Sequence, residues 1–109
     1  MKILRGSISC NNTDVIPDGA VAVVSVIDCS LACGPSKTLG KIEISDPKSF
    51  PFLYEVEYDE SLIDVEVAVN CRIFKDEKLI FINDTRFQIN SNGVLKDNVD
   101  FHVIVVNWK

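Results

Sequence analysis

Histidine occurs once in this chain of 109 residues, at His102, and that scarcity removes several kinds of chemistry at the outset. A Ser-His-Asp or Cys-His arrangement would have to use His102. His102 lies in an apolar strand pattern with Ile104 and Val106 in phase, where packing or an edge position is its ordinary role. No GxSxG elbow marks a nucleophile. A hydrolytic metal centre wants a His-rich ligand set that one histidine cannot supply. Glycine is sparse as well: Gly6, Gly19, Gly34, Gly40 and Gly93 stand alone, so there is no phosphate-cradling loop. Glu55 and Glu57 lie two apart on one strand face, but nothing suggests a pocket that would separate their pKa values. The chain reads as no enzyme, with no cofactor and no metal.

Basic residues are few and scattered, 11 against 16 acids for a net charge of −5. This excludes a nucleic-acid partner, whose phosphates demand clustered Lys and Arg, and disfavours an anionic membrane surface. The acids do cluster, with Glu55, Glu57, Asp59, Glu60, Asp64 and Glu66 following one another without an intervening base. A solvated strand face running into an acidic turn accounts for them. A weak calcium site or a surface for a basic partner is the sharper reading, but the fixed ligand spacing and central glycine of a calcium loop are missing.

Long apolar runs are also lacking. Ala20 to Ile27 is the longest, far short of the ~20 residues of a membrane-spanning helix. Arg5 and Ser7 interrupt Met1 to Ile8 before it could serve as the core of an export signal. The chain as it stands is therefore expected in the cytoplasm, or secreted or periplasmic if a signal was removed before Met1. Two sequons, at Asn11 and Asn83, would matter only after secretion. The four cysteines leave three states open: free thiols, one or two disulfides, or a metal site. Cys29 and Cys33 are four apart, matching neither redox nor zinc CxxC spacing, and Cys71 takes an apolar strand phase as a small hydrophobe.

What is present is period-two patterning, with helical periodicity nearly absent. Strands are expected at Lys2–Ser9, Ala20–Asp28, Thr38–Ser45, Phe50–Tyr58, Val65–Lys75, Leu79–Ile82, Thr85–Ile89 and Val99–Trp108. Val21, Val23, Val24, Val26 and Ile27 put apolar residues on both sides of the second, the pattern of a strand covered on both faces. In the fourth, Phe50, Phe52, Tyr54, Val56 and Tyr58 face a core, while Leu53, Glu55 and Glu57 face water. Pro17-Asp18-Gly19, Asp76-Glu77-Lys78 and Asn92-Gly93 supply turns, and Asn83-Asp84 interrupts a strand like a bulge. The fold expected is an all-β antiparallel sandwich of seven to eight strands, transthyretin- or immunoglobulin-like, in a single domain spanning residues 1–109.

A sandwich of this sort binds through loops or edge strands. Leu31, Gly34 and Pro35, in the small-residue loop from Cys29 to Ser36, are candidate binding residues, and Trp108 is a candidate interface anchor. The function expected is non-enzymatic protein binding of a chaperone- or scaffold-like character, with a homodimer also possible. A secreted protease inhibitor or defence factor, its loop closed by Cys29 and Cys33, is the alternative.

Val15-Ile16-Pro17-Asp18-Gly19-Ala20, running through the Val-rich strand into Asp28-Cys29-Ser30-Leu31, resembles a stretch of the YbaY/YscW family of small β-sandwich lipoproteins. Phe50-Pro51-Phe52 through Glu57-Tyr58-Asp59, and Asp84-Thr85, are similar to later strands of that family, so the likeness runs from about Leu4 to Val106. It implies a transthyretin-like sandwich without catalytic residues. The best-understood members act as pilot or chaperone lipoproteins for the outer-membrane secretins of type III secretion. Two departures stand out: Ser7-Ile8-Ser9-Cys10 is not a lipobox, and Cys33 replaces a frequent acid, so neither the secretin role nor any binding residue is carried over.

Overall fold

A computed structural model describes residues 2–11, 13, 15–28, 37–59, 67–83, 87–91 and 94–106. Ten strands occur among them: β1 (Lys2–Cys10), β2 (Val21–Asp28), β3 (Lys37–Ser45), β4 (Phe52–Tyr58), β5 (Val67–Lys75), β6 (Lys78–Ile82), β7 (Phe87–Gln88), β8 (Asn90–Ser91), β9 (Val94–Leu95) and β10 (Phe101–Val105). No helix occurs among the described residues. The all-β expectation holds.

The main sheet runs β3-β2-β5-β6-β10-β1-β4, with β7 also paired to β5, while β8 and β9 form a separate pair. Neighbours are antiparallel except β1 and β10, which run parallel through Ile8↔Phe101. The two faces of the sandwich are thus parts of one sheet that curls upon itself. Its ends meet at one corner, where the Asp59 N–H donates to the Leu39 carbonyl at 3.2 Å. Gly40 permits that meeting, because a Cβ there would lie 2.1 Å from the Glu57 carbonyl oxygen. The result is a barrel that is nearly closed.

Alternation fills the interior. Leu4, Ile8, Val24, Val26, Val56, Tyr58, Val67, Val69, Cys71, Ile73, Phe81 and Val103 are fully buried in one core. In β4, Tyr54, Val56 and Tyr58 point inward, and Leu53 is 81% exposed, as period two demands. Phe50 sets its ring edge-on to Phe81 at 5.1 Å, and Tyr54 meets Phe101 likewise at 5.5 Å, the arrangement aromatic quadrupoles prefer.

Turn chemistry is visible in the backbone. Gly19 closes the Pro17-Asp18-Gly19 turn at φ +81, and its N–H donates to Asp46 Oδ1 at 3.0 Å. Lys48 in turn hydrogen-bonds Asp46, which holds that carboxyl below the usual carboxylate range. Of the expected bulge at Asn83-Asp84, Asp84 lies outside the described residues, while Asn83 is fastened to β5. Its N–H donates to the Cys71 carbonyl and its Oδ1 accepts the Cys71 N–H at 2.9 Å, so a side chain bridges the gap between β6 and β7.

Two expectations need revision. The inner side of β2 is buried, but Val21, Val23, Ser25 and Ile27 on its outer side are only partly buried, so among the described residues no second layer seals them. β-branched residues suit the pleat of a central strand on either side, which made a one-sided strand look two-sided. The Asn90–Asp97 segment is a strand pair, β8 and β9, rather than turn alone; segments of two residues carry no readable period.

Candidate functional site

Two features of this architecture expose groups capable of recognition. The first is the line where β3 and β4 fail to join. Among the described residues β3 pairs only with β2, and β4 only with β1. Beyond the corner at Gly40 no ladder joins the facing edges of these two strands among the described residues. Side-chain burial records the gap. Ile42 and Ile44 of β3 point inward and pair with Val24 and Ala22, which are fully buried, yet both isoleucines are only partly buried. Phe52 of β4 repeats the contrast beside the fully buried Ile8. Three inward-facing apolar side chains therefore border the seam without being sealed by it.

The second is a shallow depression of about 470 Å³ on the outer face of β3, β2 and β5. Val23, Ile27 and Phe74 form its apolar part; Ser25, Thr38 and Asn70 add hydrogen-bonding groups; Lys41 and Arg72 supply charge. A smaller depression of about 370 Å³ crosses β1 and β4 beside the exposed Leu53, and there Arg5 Nε already donates to Glu55 Oε2 at 2.9 Å.

The groups that could have supported catalysis are placed otherwise. His102 is partly buried on β10, edge-on to Phe87 at 5.5 Å. Burial pushes the Cys71 thiol up to about 12, away from nucleophilic use. Cys10 and Cys71 are free thiols. Of the expected acidic cluster, Glu55 and Glu57 lie on the outer face of β4, and Glu60, Asp64 and Glu66 fall outside the described residues. No group of three or more His, Cys, Asp or Glu suited to a metal occurs among the described residues. Leu31, Gly34, Pro35 and Trp108, the binding candidates from sequence, also lie outside them, as do Cys29 and Cys33.

Sequence reasoning passed over Ile42, Ile44, Lys41 and Arg72. Each sits in ordinary alternation on its own strand. Only the pairing of β2 with both β3 and β5 brings Lys41 and Arg72 to one face, and only the failure of β3 to meet β4 leaves the isoleucines accessible. No local signal carries either fact.

Three likenesses set these surfaces in context. A family model described as the type III secretion system lipoprotein chaperone (YscW) matches residues 1–101. The uncharacterized lipoprotein YbaY of Escherichia coli K12 is 28% identical over 98 residues, covering 86% of this chain and 52% of that protein. The chain thus spans about half the length of the curated relative it matches. The structure of an alternative pilotin from the type II secretion system of Vibrio cholerae superposes with a TM-score of 0.87 at 27% identity, covering 98% of each chain.

These likenesses correct the cytoplasmic placement. A lipoprotein relative and a pilotin point to the cell envelope. The cytoplasmic reading rested on Met1 to Ile8, but Lys2–Cys10 is strand β1, with Leu4 and Ile8 fully buried. That segment is patterned for the barrel core and carries no information on compartment.

Proposed function

Because the chain belongs to the type III secretion system lipoprotein chaperone (YscW) family, we propose that it is a one-domain, non-enzymatic chaperone of the pilotin kind, holding an apolar segment of an outer-membrane secretin in the seam between β3 and β4. The chaperone description of the family and the pilotin likeness support a protein-binding role over a catalytic one. The single observation that carries the seam is the contrast between partly buried Ile42, Ile44 and Phe52 and their fully buried neighbours. Open strand edges offer backbone pairing, and apolar side chains beside them offer pockets, the combination used when a partner segment is added to a sheet. Leu31, Gly34, Pro35 and Trp108 remain candidates for contacts beyond the seam.

Titration calorimetry against peptides tiled across a purified secretin tests the proposal. At least one peptide binds, and Ile42→Ala with Ile44→Ala weakens it by roughly tenfold or more, as expected for truncating two buried anchors. A thermal melt of the double variant separates loss of binding from loss of fold. Wild-type affinity in a folded double variant would remove the seam from the account.

A further inference from the structure

The outer face of β3, β2 and β5 carries a charge pattern opposite to that of the chain. The protein holds 16 acids and 11 bases, yet the depression on this face is lined by two cations, three neutral hydrogen-bonding residues, three apolar ones and no carboxylate. Lys41 and Arg72 are both exposed, and neither makes an ion pair among the described residues. They project from the two strands that flank β2, so roughly 10 Å of sheet separates them. Between them the floor alternates: Val23 and Ile27 are apolar, and Ser25 is polar, all partly buried. Glu43 stands on the same face opposite Val23 but lies outside the lining.

We propose that this depression is a second binding site, distinct from the seam, for an acidic peptide segment: an apolar side chain settles over Val23, Ile27 and Phe74, and flanking carboxylates meet Lys41 and Arg72. Charge complementarity selects the occupant. Unpaired cations on either side of an apolar floor match a chain that alternates acidic and apolar residues, and they repel a basic one. Arg72 offers a planar fork that accepts a carboxylate through two hydrogen bonds, whereas Lys41 acts as a point charge. The rows of the sheet repeat every second residue, the spacing of side chains on one side of an extended peptide. Ser25, Thr38 and Asn70 stand ready for its polar groups.

The test uses the full chain and a short synthetic peptide alternating Glu and Leu, with Lys-Leu and Gln-Leu peptides as controls. Fluorescence anisotropy gives affinities, and amide chemical shifts locate the contact. The Glu-Leu peptide binds best, weakens as salt screens the exposed charges, and shifts Val23, Ser25, Asn70 and Arg72. Lys41→Glu with Arg72→Glu, both at exposed positions that leave the core untouched, weakens it by roughly tenfold. Ile42→Ala with Ile44→Ala leaves it bound, so this site and the seam fail separately. Equal binding of the three peptides, shifts confined to β3–β4, or an unaffected charge-reversed variant would overturn the site. Capture by anionic vesicles with no peptide binding would also overturn it, as would self-association that the charge reversal abolishes, because each replaces the acidic peptide by another occupant.

Discussion

Gly6 is fixed by its neighbour rather than by its backbone angles. A Cβ at this position would lie 1.9 Å from the Val99 carbonyl oxygen, the same oxygen that accepts the Tyr54 hydroxyl at 2.6 Å. The close approach belongs to the parallel meeting of β1 with the segment before β10, where Arg5 N–H donates to Asp97 O and Val99 N–H donates to Arg5 O. Asp100 completes it by accepting both the N–H and the hydroxyl of Ser7 on Oδ1. Gly6→Ala should therefore force the two segments apart and cost about 1–3 kcal/mol, read as a lowered midpoint in denaturant titration. Cys71 makes a prediction about pH. Burial raises its thiol from an ordinary value near 9.0 to about 12, so between those values the folded chain keeps a proton that the unfolded chain has lost. Stability from this group is complete below pH 9 and falls as pH rises, until the folded thiol titrates. Burial raises the Tyr54 hydroxyl too, and its effect has the same sign. Urea melts from pH 8 upward should show the decline, with a shallower slope in Cys71→Ala.

At the scale of elements, the hairpin between β5 and β6 turns through Asp76 at φ 52 and Glu77 at φ 67, both left-handed. Two central residues of positive φ suit the right-handed twist of the flanking strands, and glycine adopts them without strain. Glu77→Gly should raise stability by about 0.5–1 kcal/mol, the relief of left-handed strain less the added entropy of the unfolded chain, measurable as a higher melting temperature. The existence of this hairpin was legible, because Asp76-Glu77-Lys78 interrupts two apolar runs. The inward side of β4 was legible too, its period of two being unbroken from Phe52 to Tyr58. What alternation could not give was completeness of burial. Phe52 has the right phase but sits where the sheet ends, so Phe52→Ala should cost about 1–2 kcal/mol, less than the ~3–5 typical of a sealed phenylalanine.

The whole molecule depends on which strands become neighbours, and that was the least legible level. β2 pairs with β5 across 39 to 53 residues of chain, and β1 pairs in parallel with β10; neither follows from turn chemistry, which specifies only sequential hairpins. Both candidate surfaces arise at this level. The seam exists because Gly40 lets β3 touch β4 at one corner and no ladder continues the contact, and the basic depression exists because β2 carries the next strand, β3, on one side and the distant β5 on the other. A family resemblance read from Pro17-Asp18-Gly19 and Phe50-Pro51-Phe52 reached the fold and the chaperone class, but a binding surface assembled from separate strands has no motif to carry it. Amide hydrogen exchange on the purified chain with and without purified secretin tests the central claim most directly. The account predicts a complex in which residues 41–45 of β3 and 52–56 of β4 exchange more slowly, since their open edges acquire partners. A complex that leaves both edges exchanging as in the free chain, or no complex at all, would contradict it.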